Sequence, residues 1–140
     1  QTTTFWESFD TGNLGGSKYP TRSYCHAWSS GAAYVFSRYV FGARLDKAGG
    51  RQVTLTPQLD LLQRAEGVIP LMPGPVELSW QRNTVSEATL VVEVKGDIQT
   101  TLSLPAGWRI EGVSGREMNI VPGKRHAIQL LRSLRNQDEE

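Results

Sequence analysis

The chain has 140 residues, of which 39% are apolar and 21% are charged, a composition typical of a globular domain. Lysine and arginine total 15 against 14 for aspartate and glutamate, so no basic surplus indicates nucleic acid or an acidic membrane as a partner. No apolar stretch reaches the roughly 20 residues that a membrane span requires. The single cysteine, Cys25, and the two histidines argue against an internal disulfide, a cysteine metal cluster and a zinc site, and we expect no metal or other cofactor.

The first residues, "TTTFWESFD" at 2–10, are unusually aromatic for a chain end, because termini ordinarily fray and carry small polar residues. Trp6 and Phe9 flank Glu7, and Asp10 follows. An apolar wall raises the pKa of a carboxyl group and lets it exchange protons near neutrality. Since the sequence has neither an initiating methionine nor a signal-peptide pattern, we expect this stretch to be an interior segment of a longer protein.

A glycine-rich loop at 12–23 precedes "SYCHAWSSGAAYVFSRYVFG", which has the periodicity of a helix. Its large and small apolar residues recur on one stripe, namely Trp28, Ala32, Val35, Phe36, Tyr39 and Val40. Gly42 stands where a left-handed residue ends a helix. Because this stretch is too aromatic for a lone surface helix, it predicts a long helix taken from a larger helical assembly. His26 lies at its start, where the helix dipole favours a neutral ring that can bond a hydroxyl. A glutamate, a histidine and aromatic rings together suit a sugar pocket.

From Arg51 onward the hydrophobic period changes from helical to two, which is typical of strands. The alternating segments are "RQVTLTPQL", "GPVELSW", "ATLVVEVK", "QTTLSL", "WRIEGV", "MNIV" and "HAIQLL", separated by glycine-containing turns. Short strands at this spacing predict a mainly β chain with a C-terminal antiparallel β-sandwich, preceded by a loop and a long helix of a helical domain. The predicted domains are residues 1–45, the sandwich at 46–135 and a charged tail at 136–140.

Candidate site residues in the predicted sandwich all have a structural interpretation. Its scattered carboxylates are expected on solvated outward faces, namely Glu66, Glu77, Glu87, Glu93 and Asp97. Trp80 alternates with Leu78 and is expected in the core, and His126 is expected to be structural. Trp108 follows the turn "PAG", which leaves exposure of its ring open, and we favour a structural role for it over ligand binding.

The sequence resembles the bacterial α-L-rhamnosidases at three places in the correct order. "TTTFWESFD" matches a "TTxWE" stretch, and "SYCHAWSSG" matches an "S-x-C/N-H-x-W/Y/F" helix that closes an (α/α)6 barrel in that family. "AEGVIPLMPGPVELSWQR" resembles the stretch that opens the following β-sandwich. Ala32 and the "LMPG" sequence depart from the usual pattern, and these departures leave a related deoxy-sugar specificity open.

The resemblance implies an inverting glycoside hydrolase that releases terminal α-L-rhamnose from glycans or glycosides. Glu7 would be the general base, His26 would contact the sugar, and Trp6 would shape the pocket. The general acid would lie upstream of this chain, and the family pattern gives Asp10 no such role. The implied partners are a rhamnose-containing glycan or glycoside and the remainder of the catalytic barrel. We therefore expect the 140-residue chain alone to be inactive.

Two other interpretations remain open from the sequence. In the first, the sandwich is a non-catalytic module, either carbohydrate-binding or structural, which the helical segment anchors. In the second, the chain is an all-β interaction domain without a role in sugar chemistry.

Overall fold

The computed structural model describes residues 27–133, apart from the side chains of Trp28 and Ser29. The chain divides into two compact units between Phe36 and Ser37. Before that division lie a 3-10 helix at Ala27–Ser30 and the α-helix α1 at Gly31–Val35. A π-helix follows at Phe36–Val40, and Gly42 then takes a left-handed conformation with φ of 67°.

Nine strands among the described residues form two sheets. They are β1 (Ala43–Leu45), β2 (Gln52–Leu55), β3 (Arg64–Ile69), β4 (Val76–Arg82), β5 (Glu87–Val94), β6 (Gln99–Ser103), β7 (Trp108–Ile110), β8 (Glu117–Ile120) and β9 (Arg125–Arg132). The four-stranded sheet has the order β1-β2-β6-β8, and the five-stranded sheet has the order β3-β4-β5-β9-β7. A short 3-10 turn at Ala48–Gly50 joins β1 to β2.

The strand pairs are antiparallel with one exception. Strands β2 and β6 pair in parallel, with Val53 opposite Thr100 and Leu55 opposite Leu102. A parallel pair needs a long crossover connection, and here the chain passes through β3, β4 and β5 of the other sheet before it returns. This crossover is one of several connections by which the chain joins the two sheets.

Alternation along the strands builds the core between the sheets. In β5, for example, Ala88, Leu90, Val92 and Val94 are fully buried, while the residues between them are less so. The remaining buried apolar residues come from both sheets and from the connecting loops, among them Val53, Leu55, Leu59, Leu78, Trp80, Ile98, Leu102, Trp108 and Leu130. The sandwich therefore has a closed apolar core of its own.

The chain that follows the helical segment is fixed to the sandwich by backbone contacts. Gln58 N–H donates to the Val40 carbonyl over 2.9 Å, and Thr56 N–H donates to the Gly42 carbonyl over 3.1 Å. A Cβ at Gly42 would lie 1.9 Å from the Thr56 carbonyl oxygen, so the approach of the two backbones requires glycine there. Phe41 lies in the core and meets the ring of Trp80 edge-on, with ring centroids 5.7 Å apart.

The structure confirms the predicted mainly β chain and its sandwich of antiparallel-rich sheets. The prediction of one long regular helix is wrong: the described segment is a 3-10 helix, then five α-helical residues, then a π-helix. Two strands were absent from the sequence prediction: β1, which precedes the predicted domain start at 46 yet pairs with β2, and β3. The domain boundaries themselves stay a prediction, and the tail at 136–140 lies outside the described residues.

Candidate functional site

The residues predicted to carry the chemistry, Glu7, Trp6 and His26, all lie outside the residues that the structure describes, as does Asp10. Their roles stay predictions. The described residues begin directly after His26. They comprise the helical segment that follows the predicted site, and the nine strands of the sandwich.

The helical segment exposes apolar side chains. Tyr34, Val35 and Phe36 are each about half exposed or more, with relative exposures of 62%, 48% and 54%. Within the described residues, α1 buries none of its side chains. Because consecutive residues of a helix point in different directions, these three side chains leave the segment apolar on more than one side, which is typical of a helix that packs against further protein.

A shallow groove of about 330 Å³ crosses the outer face of the five-stranded sheet. The register explains it. Val68, Glu77, Glu93 and Arg125 lie opposite one another in a row across β3, β4, β5 and β9. In the next row the side chains on the three inner strands are short: Ser79, Val91 and Ala127. The small side chains form a trough beside the larger charged row.

Lys95 organises part of the charged row. Its ammonium group lies 2.5 Å from Glu77 Oε1 and 3.9 Å from Glu93 Oε1. The hydrogen bond to Glu77 is the main cause of a raised pKa for Lys95, and the charges of Glu77 and Glu93 add to it. Among residues 27–133, no carboxylate oxygen lies within 4 Å of the Arg125 guanidinium nitrogens. The groove thus combines carboxylate oxygens that accept hydrogen bonds with a guanidinium that can donate them.

The predictions for the other carboxylates agree with the structure. Asp97 and Glu66 are largely exposed, with side-chain exposures of 95% and 72%, and form loose ion pairs with Arg51 and Arg64. Trp80 is buried as predicted. Its indole N–H donates to the Leu62 carbonyl over 3.1 Å.

Trp108 is buried, with 1% relative exposure, which excludes the open alternative of an exposed ring. Its indole N–H donates to Asp60 Oδ1 over 3.3 Å, and the Arg132 guanidinium lies 5.8 Å from the ring centroid. Asp60 also pairs with Arg132 over 3.1 Å and with Arg82 over 3.8 Å. Trp108 therefore joins a network that fixes the loop after β2 to the edge of the five-stranded sheet.

Two classes of site find no support in the described part of the chain. Among residues 27–133 no group of three or more histidine, cysteine, aspartate or glutamate side chains is arranged to hold a metal ion. No helix in that range is long and apolar enough to cross a membrane. His126, which was expected to be structural, has a ring nitrogen 3.2 Å from the Val121 carbonyl oxygen.

Sequence reasoning missed the groove because its lining is assembled from four strands. Glu66, Ser79, Val91 and Arg125 are distant in sequence, and only the strand register brings them together. Sequence alternation places these residues on outward faces, but it does not say which strands are neighbours.

No protein-family model matches the chain. No curated protein matches it either. Among solved structures, the native α-L-rhamnosidase of Aspergillus terreus superposes with a TM-score of 0.58 at 25% identity, over 91% of this chain and 14% of its own.

Two further solved structures have similar folds. The α-L-rhamnosidase of Dictyoglumus thermophilum superposes with a TM-score of 0.57 at 16% identity, over 94% of this chain and 16% of its own. The α-L-rhamnosidase of Streptomyces avermitilis, in complex with L-rhamnose, superposes with a TM-score of 0.57 at 21% identity, over 94% of this chain and 13% of its own. The likeness includes a fungal enzyme, so it does not single out a bacterial origin. The chain spans about one seventh of these enzymes and has the fold of a portion of an α-L-rhamnosidase.

Proposed function

We propose that this chain is the C-terminal portion of an inverting glycoside hydrolase that releases terminal α-L-rhamnose from glycans or glycosides. The observation that carries the proposal is the fold similarity to three α-L-rhamnosidases over more than nine tenths of this chain. The order of the "TTxWE" and "CH" motifs ahead of the sandwich supports the same assignment.

In this proposal Glu7 is the general base. An inverting glycosidase uses two carboxyl groups about 6.5–9.5 Å apart, so that a water molecule fits between the base and the sugar. Glu7 would take a proton from that water as its oxygen attacks the anomeric carbon. Trp6 and Phe9 beside it would lower the local polarity, which raises the pKa of a carboxyl group. His26 would donate or accept a hydrogen bond at a sugar hydroxyl.

The general acid would come from the part of the barrel outside this chain. It would protonate the glycosidic oxygen as the bond to the anomeric carbon breaks. The apolar side chains exposed on the helical segment, Tyr34, Val35 and Phe36, would pack against neighbouring helices of that barrel.

The test is a substitution in the full-length protein. Glu7→Gln keeps the size of the side chain but removes the base, and general-base catalysis contributes about 10²–10⁴-fold to a rate. We expect the turnover of an aryl α-L-rhamnoside to fall by about this factor, with little change in the affinity for rhamnose. Asp10→Asn, a carboxylate of the same motif without an assigned role, is the matched control and should leave turnover near that of the wild type. Near-normal turnover of Glu7→Gln would overturn the assignment.

A second candidate function, a non-catalytic sandwich module, is favoured by the closed core of the sandwich. Both candidates predict that the isolated 140-residue chain has no hydrolase activity, and an assay of the purified chain tests this shared expectation. Because the proposed general acid is outside the chain, we expect no release of the aryl group at any chain concentration. Turnover that scales with the concentration of the purified chain would contradict a missing acid.

A further inference from the structure

The groove on the outer face of the five-stranded sheet has no part in the proposed catalytic mechanism. It lies on the sandwich, it has a volume of about 330 Å³, and it is bounded by the charged row of Glu77, Glu93 and Arg125. This volume falls in the range of small-molecule sites, which starts at about 300 Å³.

The chemistry of the lining selects the class of ligand. Three glutamates, Glu66, Glu77 and Glu93, are balanced by Arg64, Lys95 and Arg125 on or beside the groove. A balanced site does not attract an ion of either sign from solution, since its long-range field is small. It does offer acceptors and donors side by side, and a sugar hydroxyl both donates and accepts.

The trough also has an apolar portion. Val68 is 55% exposed at one end of the charged row, and Val91 lies in the row of short side chains. Ser79 stands next to Val91 across β4 and β5 and adds a hydroxyl. A ligand with a C–H face on one side and hydroxyls on its rim therefore matches the surface better than a wholly polar or wholly apolar one.

We propose that this groove is a carbohydrate-binding subsite on the sandwich, separate from the catalytic pocket. Arg125 and Glu93 hydrogen-bond the sugar hydroxyls, and Val68 and Val91 contact its apolar face. The choice of a 6-deoxy sugar as the ligand rests on the proposed function, because the methyl group of rhamnose enlarges the apolar face. The groove is open and shallow, so we expect millimolar affinity, which corresponds to about 4 kcal/mol.

The test is a titration of the 140-residue chain with methyl α-L-rhamnopyranoside, followed by ¹H–¹⁵N NMR. We expect saturable shifts confined to the amides of Val68, Ser79, Val91 and Arg125. Uniform small shifts over the whole surface, or equal shifts with glycerol at the same hydroxyl concentration, would overturn the proposal.

Two variants and one control sharpen the result. Arg125→Gln and Glu93→Gln should each weaken binding about fivefold, the effect of one hydrogen bond worth about 1 kcal/mol. Arg109→Gln, an exposed arginine on β7 of the same sheet but outside the groove, should bind as the wild type does. Equal affinity in all three variants would overturn the assignment of the groove.

The NMR spectrum of each variant reports its fold directly. A sandwich that binds rhamnoside in a full-length protein without hydrolase activity would overturn the proposed function alone. An active enzyme whose groove does not bind would overturn this inference alone.

Discussion

Replacing Gly67 by alanine tests how tightly the segment after the π-helix is packed onto the sandwich. Gly67 lies in β3 opposite Leu78, and its missing side chain makes room for the Phe41 ring. A Cβ at this position would lie 2.6 Å from Phe41 Cζ and 2.7 Å from Cε2, whereas ordinary contact begins at 3.4 Å. The φ of Gly67 is not in the left-handed region, so the cost of alanine here is a steric clash and not a strained backbone conformation.

The magnitude follows from how little Phe41 can move. The ring must shift by at least 0.8 Å, the difference between 3.4 and 2.6 Å. Phe41 and Trp80 are only 6% and 2% exposed and meet edge-on, so the shift disturbs both rings. Overpacking of a core costs about 1–3 kcal/mol, and the lower entropy of unfolded alanine returns about 0.4–1 kcal/mol. From the middle of each range we expect a net loss of about 1.3 kcal/mol in the free energy of unfolding.

Urea denaturation of the 140-residue chain measures this loss as a fall in the midpoint at unchanged slope. Gly31→Ala is the control, because a Cβ there meets no atom within 4 Å, and its midpoint should not fall. In the double variant Gly67→Ala with Phe41→Leu, the smaller side chain at position 41 leaves room for the new methyl group. The loss of stability in the double variant should therefore be smaller than the sum of the losses in the two single variants. Strict additivity, or an unchanged midpoint for Gly67→Ala, would refute the packing argument.

Other side chains give further predictions for the same chain. The hydrogen bond from Thr54, and then the one from Arg44, lower the pKa of Asp46 in the folded protein. The ionised Asp46 therefore stabilises the fold above the ordinary carboxyl pKa, and this stabilisation is lost as the pH falls through the pKa of Asp46 in the folded state. The stability difference between wild type and Asp46→Asn should therefore be largest near pH 7 and shrink below about pH 4, and a pH-independent difference would contradict this. Trp108→Phe should cost about 1–3 kcal/mol of stability, because the smaller ring leaves a cavity in the core. Asp60→Asn should cost less than about 1 kcal/mol, because the Asp60 side chain is 45% exposed. A lower urea midpoint for Asp60→Asn than for Trp108→Phe would contradict these roles.

The sandwich could be predicted from the sequence because its strands carry their own alternation. Val76, Leu78 and Trp80 repeat at every second position, and their burial follows from that period. Gly42 could be predicted as the helix end, since glycine tolerates the left-handed conformation that it adopts.

Other features depend on contacts between distant residues and were not predictable. Trp108 follows a turn in sequence, but its burial comes from the pairing of β7 with β9 and from Asp60. The parallel pairing of β2 with β6 likewise has no local signal. An apolar stripe indicates a helix without fixing its pitch, so the π-helix at Phe36–Val40 was not foreseen.

The candidate catalytic site depends on the sequence motifs and on the fold likeness. Glu7 and His26 were proposed from residue types and from the resemblance, and both lie outside the described residues. The groove is the opposite case: no motif marks it, and the register of four strands creates it.

The stereochemistry of the first product tests the central claim most directly. ¹H NMR of the full-length protein acting on an aryl α-L-rhamnoside distinguishes the anomers of rhamnose before they equilibrate in water. If Glu7 activates a water molecule for direct displacement, β-L-rhamnose must appear first and the α anomer only later. Initial release of α-L-rhamnose, or no release of rhamnose at all, would contradict an inverting α-L-rhamnosidase with Glu7 as its base.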